Sequence, residues 1–157
     1  MILIIGYGNP LRSDDSIGQK IAQTMKDRLN RSDVEVLLTH QLTPELVYSV
    51  SQSRLVVFID ARMGDQPGEV IHEVIEPQPG TGIFTHDVTP MSLLAGAHEL
   101  YGALPDGIMI SIVGAGFDYG CELSPGLQQA LPHIADGVKA IIESSANVQI
   151  YEEADHA

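Results

Sequence analysis

Residues 1–18 read Met1-Ile2-Leu3-Ile4-Ile5-Gly6-Tyr7-Gly8-Asn9-Pro10-Leu11-Arg12-Ser13-Asp14-Asp15-Ser16-Ile17-Gly18. The run at 1–5 is continuously apolar and rich in Ile, the mark of a strand buried on both faces. From Ile17 onward, apolar residues recur at Ile21, Ala22, Met25 and Leu29, so residues 15–29 are expected to form an amphipathic helix. A buried strand, a glycine-bearing loop and an amphipathic helix together open an α/β unit.

The alternation continues outward from this segment. Residues 34–39 (VEVLLT) form a second expected strand, after which Thr43 and Pro44 suit the N-cap and first turn of a short helix reaching Tyr48. Residues 55–59 (LVVFI) form a third buried strand that ends at Asp60, and residues 68–75 (GEVIHEVI) alternate as an edge strand would. A helix is expected over 88–100, carrying Met91, Leu94, Ala95 and Leu100, and a fifth strand over 108–113 (IMISIV). Ser124-Pro125 opens a last helix to about residue 143, with Leu127, Leu131, Ile134, Val138 and Ile141 as its inner face. The expected fold is a single-domain α/β three-layer sandwich, a twisted, mainly parallel five-stranded sheet with helices on both faces. Residues 1–146 make up the domain and 147–157 an acidic C-terminal tail.

The chain has 157 residues, enough to bury a sizeable core within one domain. With 44% hydrophobic and 18% charged residues it has an ordinary globular balance, which argues against disorder. Its 21 acidic residues outweigh 8 basic ones for a formal charge of −13, a field that repels nucleic acid. The apolar opening is too short for a signal segment, and no later run has membrane-spanning length, so a cytoplasmic location without membrane contact is expected. The single cysteine, Cys121, excludes an internal disulfide framework and an all-cysteine metal site.

In such a sheet, sites gather at the carboxyl ends of strands. That rule selects residues 6–15 after the first strand, His40 after the second, Asp60 after the third and residues 114–121 after the fifth. His86 precedes the helix expected near Val88. Gly6-Tyr7-Gly8 imitates a dinucleotide fingerprint, but position 11 is Leu, and Asp14 and Asp15 would repel a pyrophosphate competing for the same helix N-terminus. One of these two acids is expected to be a helix cap. Asp87 is a candidate cap for the helix after His86, while His72, His98, His133 and His156 read as structural or solvent-facing. Asp15, Asp60 and His86 then offer two carboxylates and an imidazole, a set suited to a divalent ion with open positions. These ligand types do not choose among nickel, zinc and iron. Ser13, Ser111 and Ser124 lack a nucleophile elbow. Cys121 lies near Asp118 and Glu122, whose charges raise a thiol pKa, so a cysteine nucleophile is disfavoured.

The pattern Gly6-x-Gly8-Asn9-x-Leu11-x-x-Asp14-Asp15-x-x-Gly18 resembles the signature of the nickel-iron hydrogenase maturation endopeptidases. The resemblance runs from Met1 to Leu127, where Leu123-Ser124-Pro125 is similar to the family's opening of the last helix. His40-Gln41-Leu42, where many members carry an Asp-Gly-Thr-like turn, resembles the peptidases of bidirectional, NAD-linked hydrogenases. Asp15 stands where many relatives have Glu, one methylene longer, and residues 114–121 depart from the commoner family form.

The resemblance implies a hydrolase, an aspartyl-type endopeptidase that removes the C-terminal extension of a nickel-iron hydrogenase large-subunit precursor after nickel insertion, thereby activating the hydrogenase. It implies that Asp15, Asp60 and His86 bind the metal; Asp15 and Asp60 are in addition the candidate catalytic carboxylates. Nickel(2+) would arrive with the substrate and not be a resident cofactor, and the peptidase would be a monomer. Whether that metal polarises the carbonyl or activates water, or whether a carboxylate acts as general base, is left open by the sequence. The alternative is a non-catalytic chaperone or metal carrier for the same precursor.

Overall fold

In the first strand, β1 (Ile2–Tyr7), Ile2 and Ile4 face one way and Leu3 and Ile5 the other, and all four are fully buried. A strand alternates sides at every residue, so a continuous Ile/Leu run is stable only between two apolar layers. The computed structural model describes residues 1–78 and 87–155, with side chains as far as residue 148. In chain order β1 is followed by α1 (Ile17–Leu29), β2 (Val34–Thr39), α2 (Leu46–Ser51), β3 (Leu55–Arg62), β4 (Val70–Ile75), α3 (Pro90–Tyr101), β5 (Asp106–Val113) and α4 (Pro125–Asp155). The sheet order is β2-β1-β3-β5-β4, with β4 antiparallel at one edge and the other neighbours parallel. The expected three-layer architecture is therefore present.

One apolar layer joins Ile2, Ile4, Val57 and Ile59 to α1 and α4; the other joins Leu3, Ile5 and Phe58 to α2 and α3. Each such side chain contributes about 1.5–3 kcal/mol on leaving water, so the central strands carry much of the stability. Gly18 lets α1 lie directly on the sheet. A Cβ there would meet the Ile59 carbonyl oxygen at 2.3 Å and the Tyr7 carbonyl oxygen at 2.7 Å.

Several boundaries differ from the sequence reading. Residues 13–16 form a 3-10 turn, and α1 starts at Ile17, because Asp14 is drawn away into tertiary hydrogen bonds. Thr43 and Pro44 form a turn before α2, which begins at Leu46. Thr89, not Asp87, caps α3: it accepts the Ser92 N–H at 3.1 Å while the Ser92 hydroxyl accepts the Thr89 N–H at 2.8 Å. Helix α4 passes residue 147 and ends at Asp155. No Gly or Pro interrupts the chain after Gly137, so nothing stops the helix at the expected tail boundary. Its buried face is Leu127, Ile134, Ala135, Val138, Ile142 and Ala146, with Leu131 and Ile141 only half-buried beside it.

Candidate active-site cleft at the strand switch point

The chain leaves β1 towards β2 on one side and later returns on the other side as β3. The β1–β3 border is thus the point where the sheet's connections reverse direction, and loops diverging there leave a crevice at the carboxyl ends of the strands. A cleft of about 570 Å³ opens at that point. Tyr7 from β1, Gly8 just after it, Asp15, and Asp60 from β3 line it, with His40 to Pro44 and Asp87 to Pro90 as its outer walls.

The first loop is shaped by Gly8, whose φ of 146° is a conformation L side chains rarely adopt; a Cβ would stand 1.9 Å from the Asp15 carbonyl oxygen. The loop then folds back on itself. The Asp15 carboxylate accepts the Asn9 N–H at 2.7 Å, and Asn9 Oδ1 accepts the Leu11 N–H at 2.9 Å. Gln19 Nε2 donates to the carbonyls of Gly8 (2.8 Å) and Thr39 (2.7 Å), binding this loop to the end of β2.

Asp14 and Asp15 have separate tasks, and neither caps its own helix. Asp14 is fully buried and accepts the N–H groups of Ala115 (2.7 Å), Gly116 (3.0 Å) and Ser124 (2.7 Å), and the Ser124 hydroxyl (2.8 Å). Burial alone would raise its pKa, but the donors from Ser124, Ala115 and Gly116 together outweigh burial and hold the carboxyl below its usual range. Backbone bonds between Ser13 and Gly120 (2.9 Å), Gly120 and Leu11 (2.9 Å), and Asp14 and Gly116 (3.0 Å) add to this seam. Asp15 is thereby left as the carboxylate that faces the cleft.

Asp60 sits within β3, which continues to Arg62, and not after the strand's end as expected from the sequence. Its Oδ1 accepts the Ala61 N–H at 2.7 Å. Burial pushes the carboxyl up to about 6, the charge of Asp15 pushes the same way, and the Ala61 N–H and the Tyr7 hydroxyl oppose them. The Tyr7 pKa is raised as well: burial, then the Asp60 charge and the interaction with it, hold the phenol proton tightly.

The structure thus brings Asp15 and Asp60 together, with His40 on the same cleft. His86 lies outside the described residues; its chain neighbour Asp87 lines the cleft. Among the described residues no three His, Cys, Asp or Glu side chains are grouped as a metal site. Cys121, His72, His98 and His133 are exposed, and His156 lies outside the described residues. Sequence reasoning selected the loop that holds Tyr7 without giving that residue a role, and it missed Gln19, hidden on the polar stripe of α1. It also missed the tie from Asp14 to Ser124, which no local pattern announces.

No protein-family model matches the chain, and no curated protein sequence matches it. Solved structures do. The hydrogenase maturating endopeptidase HybD from Escherichia coli superposes with a TM-score of 0.73 at 22% identity, covering 92% of this chain and 93% of that one. The [NiFe] hydrogenase maturation protease HycI from Thermococcus kodakarensis KOD1 gives 0.69 at 24% identity, covering 90% and 92%. HybD from Thermococcus kodakarensis, also a [NiFe] hydrogenase maturation protease, gives 0.67 at 24%, covering 89% and 97%. Over nearly its whole length, the chain has the fold of these maturation proteases.

Proposed function

We propose that this protein is an endopeptidase that removes the C-terminal extension of a nickel-iron hydrogenase large-subunit precursor after nickel insertion. The observation that carries the reading is the pairing of Asp15 and Asp60 on one cleft at the strand switch point, in a fold shared with maturation proteases. The sequence motif supports it from a separate direction, since Gly8 and Gly18 are each required by the loop and helix that place Asp15.

In this reading the nickel arrives with the substrate. Asp15 and Asp60 engage it with His86, whose chain neighbour Asp87 lines the cleft. Such hard oxygen and imidazole donors suit a divalent transition metal. Metal engagement holds the precursor's tail in the cleft, and orientation of this kind contributes towards the low end of the roughly 7–11 kcal/mol seen in well-positioned reactions. The partly buried Asp60, with its pKa near 6, changes charge close to neutrality, as a group that trades a proton for a metal should.

The target is the large subunit of a bidirectional, NAD-linked hydrogenase. His40-Gln41-Leu42, the segment that carries this resemblance, stands in the cleft wall, where it would touch the substrate. The same reading has the protein acting in the cytoplasm as a monomer, activating its hydrogenase by completing the large subunit. No described helix is long and apolar enough to cross a membrane.

The test is intact-mass spectrometry of the nickel-loaded precursor after incubation with this protein, beside a nickel-free control. Loss of a C-terminal peptide from the loaded form alone is expected. An unchanged mass with a stable complex would replace the peptidase by a chaperone.

A further inference from the structure

A second depression, of about 330 Å³, lies across Asp15 from the main cleft and is lined by Arg12, Asp15, Ala61, Arg62, Met63 and Phe117. Its charge is opposite to that of the molecule, which carries −13 overall. Among the arginines, Arg28 is paired with Asp136, and Arg31 and Arg54 with Asp33. Arg12 and Arg62 make no ion pair with any described residue, and both stand in this groove. Beside them Met63 is 77% exposed, and its flexible thioether adapts to varied partners.

We propose that this groove receives the polypeptide that follows the cleaved bond, with an acidic side chain of that segment on Arg12 and Arg62 and an apolar one against Met63 and Phe117. The inference rests on the peptidase reading and adds a binding site for the departing segment. Two features select this occupant. Asp15 belongs to the walls of both depressions, so a chain whose metal-bearing part fills the main cleft runs past Asp15 into the groove without leaving the surface. Two guanidinium groups on an otherwise acidic protein match a carboxylate, which arginine holds by paired hydrogen bonds, and they repel a basic segment. Because Asp15 borders both depressions, contacts in the groove fix which bond lies over the carboxylates.

The experiment compares wild type with the Arg12→Ala/Arg62→Ala double variant on the nickel-loaded precursor, following initial rates against precursor concentration and salt. Both side chains are exposed, and an unchanged thermal melt checks the fold. The expected result is a KM raised about tenfold with kcat within twofold, and a weaker salt dependence. A synthetic peptide of the removed extension should compete with the precursor for wild type and not for the variant. An Arg12→Glu/Arg62→Glu protein should regain activity on a precursor whose acidic residues after the cleaved bond are changed to Lys. An active wild type with an unchanged KM in the double variant, or a peptide that competes equally with both, overturns the groove and leaves the peptidase standing. A wild type that never shortens the loaded precursor removes both.

Discussion

Tyr7 and Asp60 stand side by side at the carboxyl ends of adjacent strands, and each acts on the other's proton affinity, raising that of the phenol and lowering that of the carboxylate. Tyrosine holds its proton more firmly, while the carboxyl, raised by burial to about 6, is kept from rising further. Groups separated in this way retain distinct protonation states across the physiological range.

The pH dependence of processing should follow Asp60. Only the ionised carboxylate binds a metal well, so kcat/KM is expected to rise with pH through about 6 and then level off. Tyr7→Phe removes an interaction that lowers the Asp60 pKa, so the rising limb should move to higher pH. A limb unmoved or displaced to lower pH would show that Tyr7 does not tune Asp60.

Asp60→Asn should abolish processing and stabilise the fold at neutral pH. The folded pKa of Asp60, about 6, lies above the ordinary value of 3.8. Its contribution to stability is therefore fully present below the unfolded value and is lost as pH rises through the folded one. At pH 8 the variant is expected to gain on the order of 1–2 kcal/mol, allowing for partial exposure, and to gain only a small fraction of that at pH 4. Urea titrations of both proteins at the two pH values decide the matter.

Asp14→Asn should act in the opposite way. The amide has one accepting oxygen for the donors of Ala115, Gly116 and Ser124, and its own N–H groups face donors. A loss of about 3 kcal/mol is expected, a fall in Tm on the order of 10 °C for a chain of this size. Because the Asp14 pKa is lowered on folding, its contribution is present above the unfolded value and is lost as pH falls through the folded one. The gap between wild type and variant should therefore close in acid, which melts recorded from pH 7 down to 3 will show.

Gly18→Ala should cost about 3 kcal/mol or more, since the added methyl overlaps backbone oxygens of two strands that have no room to retreat. Gly126→Ala, where a Cβ meets nothing within 4 Å, is the control and should leave the denaturation midpoint nearly unchanged.

The sheet was legible in the sequence because its strands are local patterns. VEVLLT coincides with β2, and the alternation of residues 68–75 marked β4 as the edge. That Asp15 and Asp60 share one cleft was legible because the rule of carboxyl ends needs only strand order. What escaped depends on contacts distant in sequence. The bond from Ser124 to Asp14 spans 110 positions, and the depression holding Arg12 and Arg62 exists only once β3 lies beside the first loop. Helix ends were misjudged for a related reason: Thr89 outcompetes Asp87 through reciprocal bonds with Ser92, a choice made by geometry between two residues equally suited by type.

The seam between the first loop and residues 115–124 also has a consequence for the protein's birth. Synthesis delivers Asp14 early and Ser124 among the last quarter of the chain, so the segment bearing Asp15 emerges from the ribosome long before the partners that hold its neighbour. Until those residues follow, the Asp14 carboxylate lacks the four donors that hold it in the finished fold. A chain that stops short of Ser124 therefore lacks the bonds that secure the residue next to Asp15.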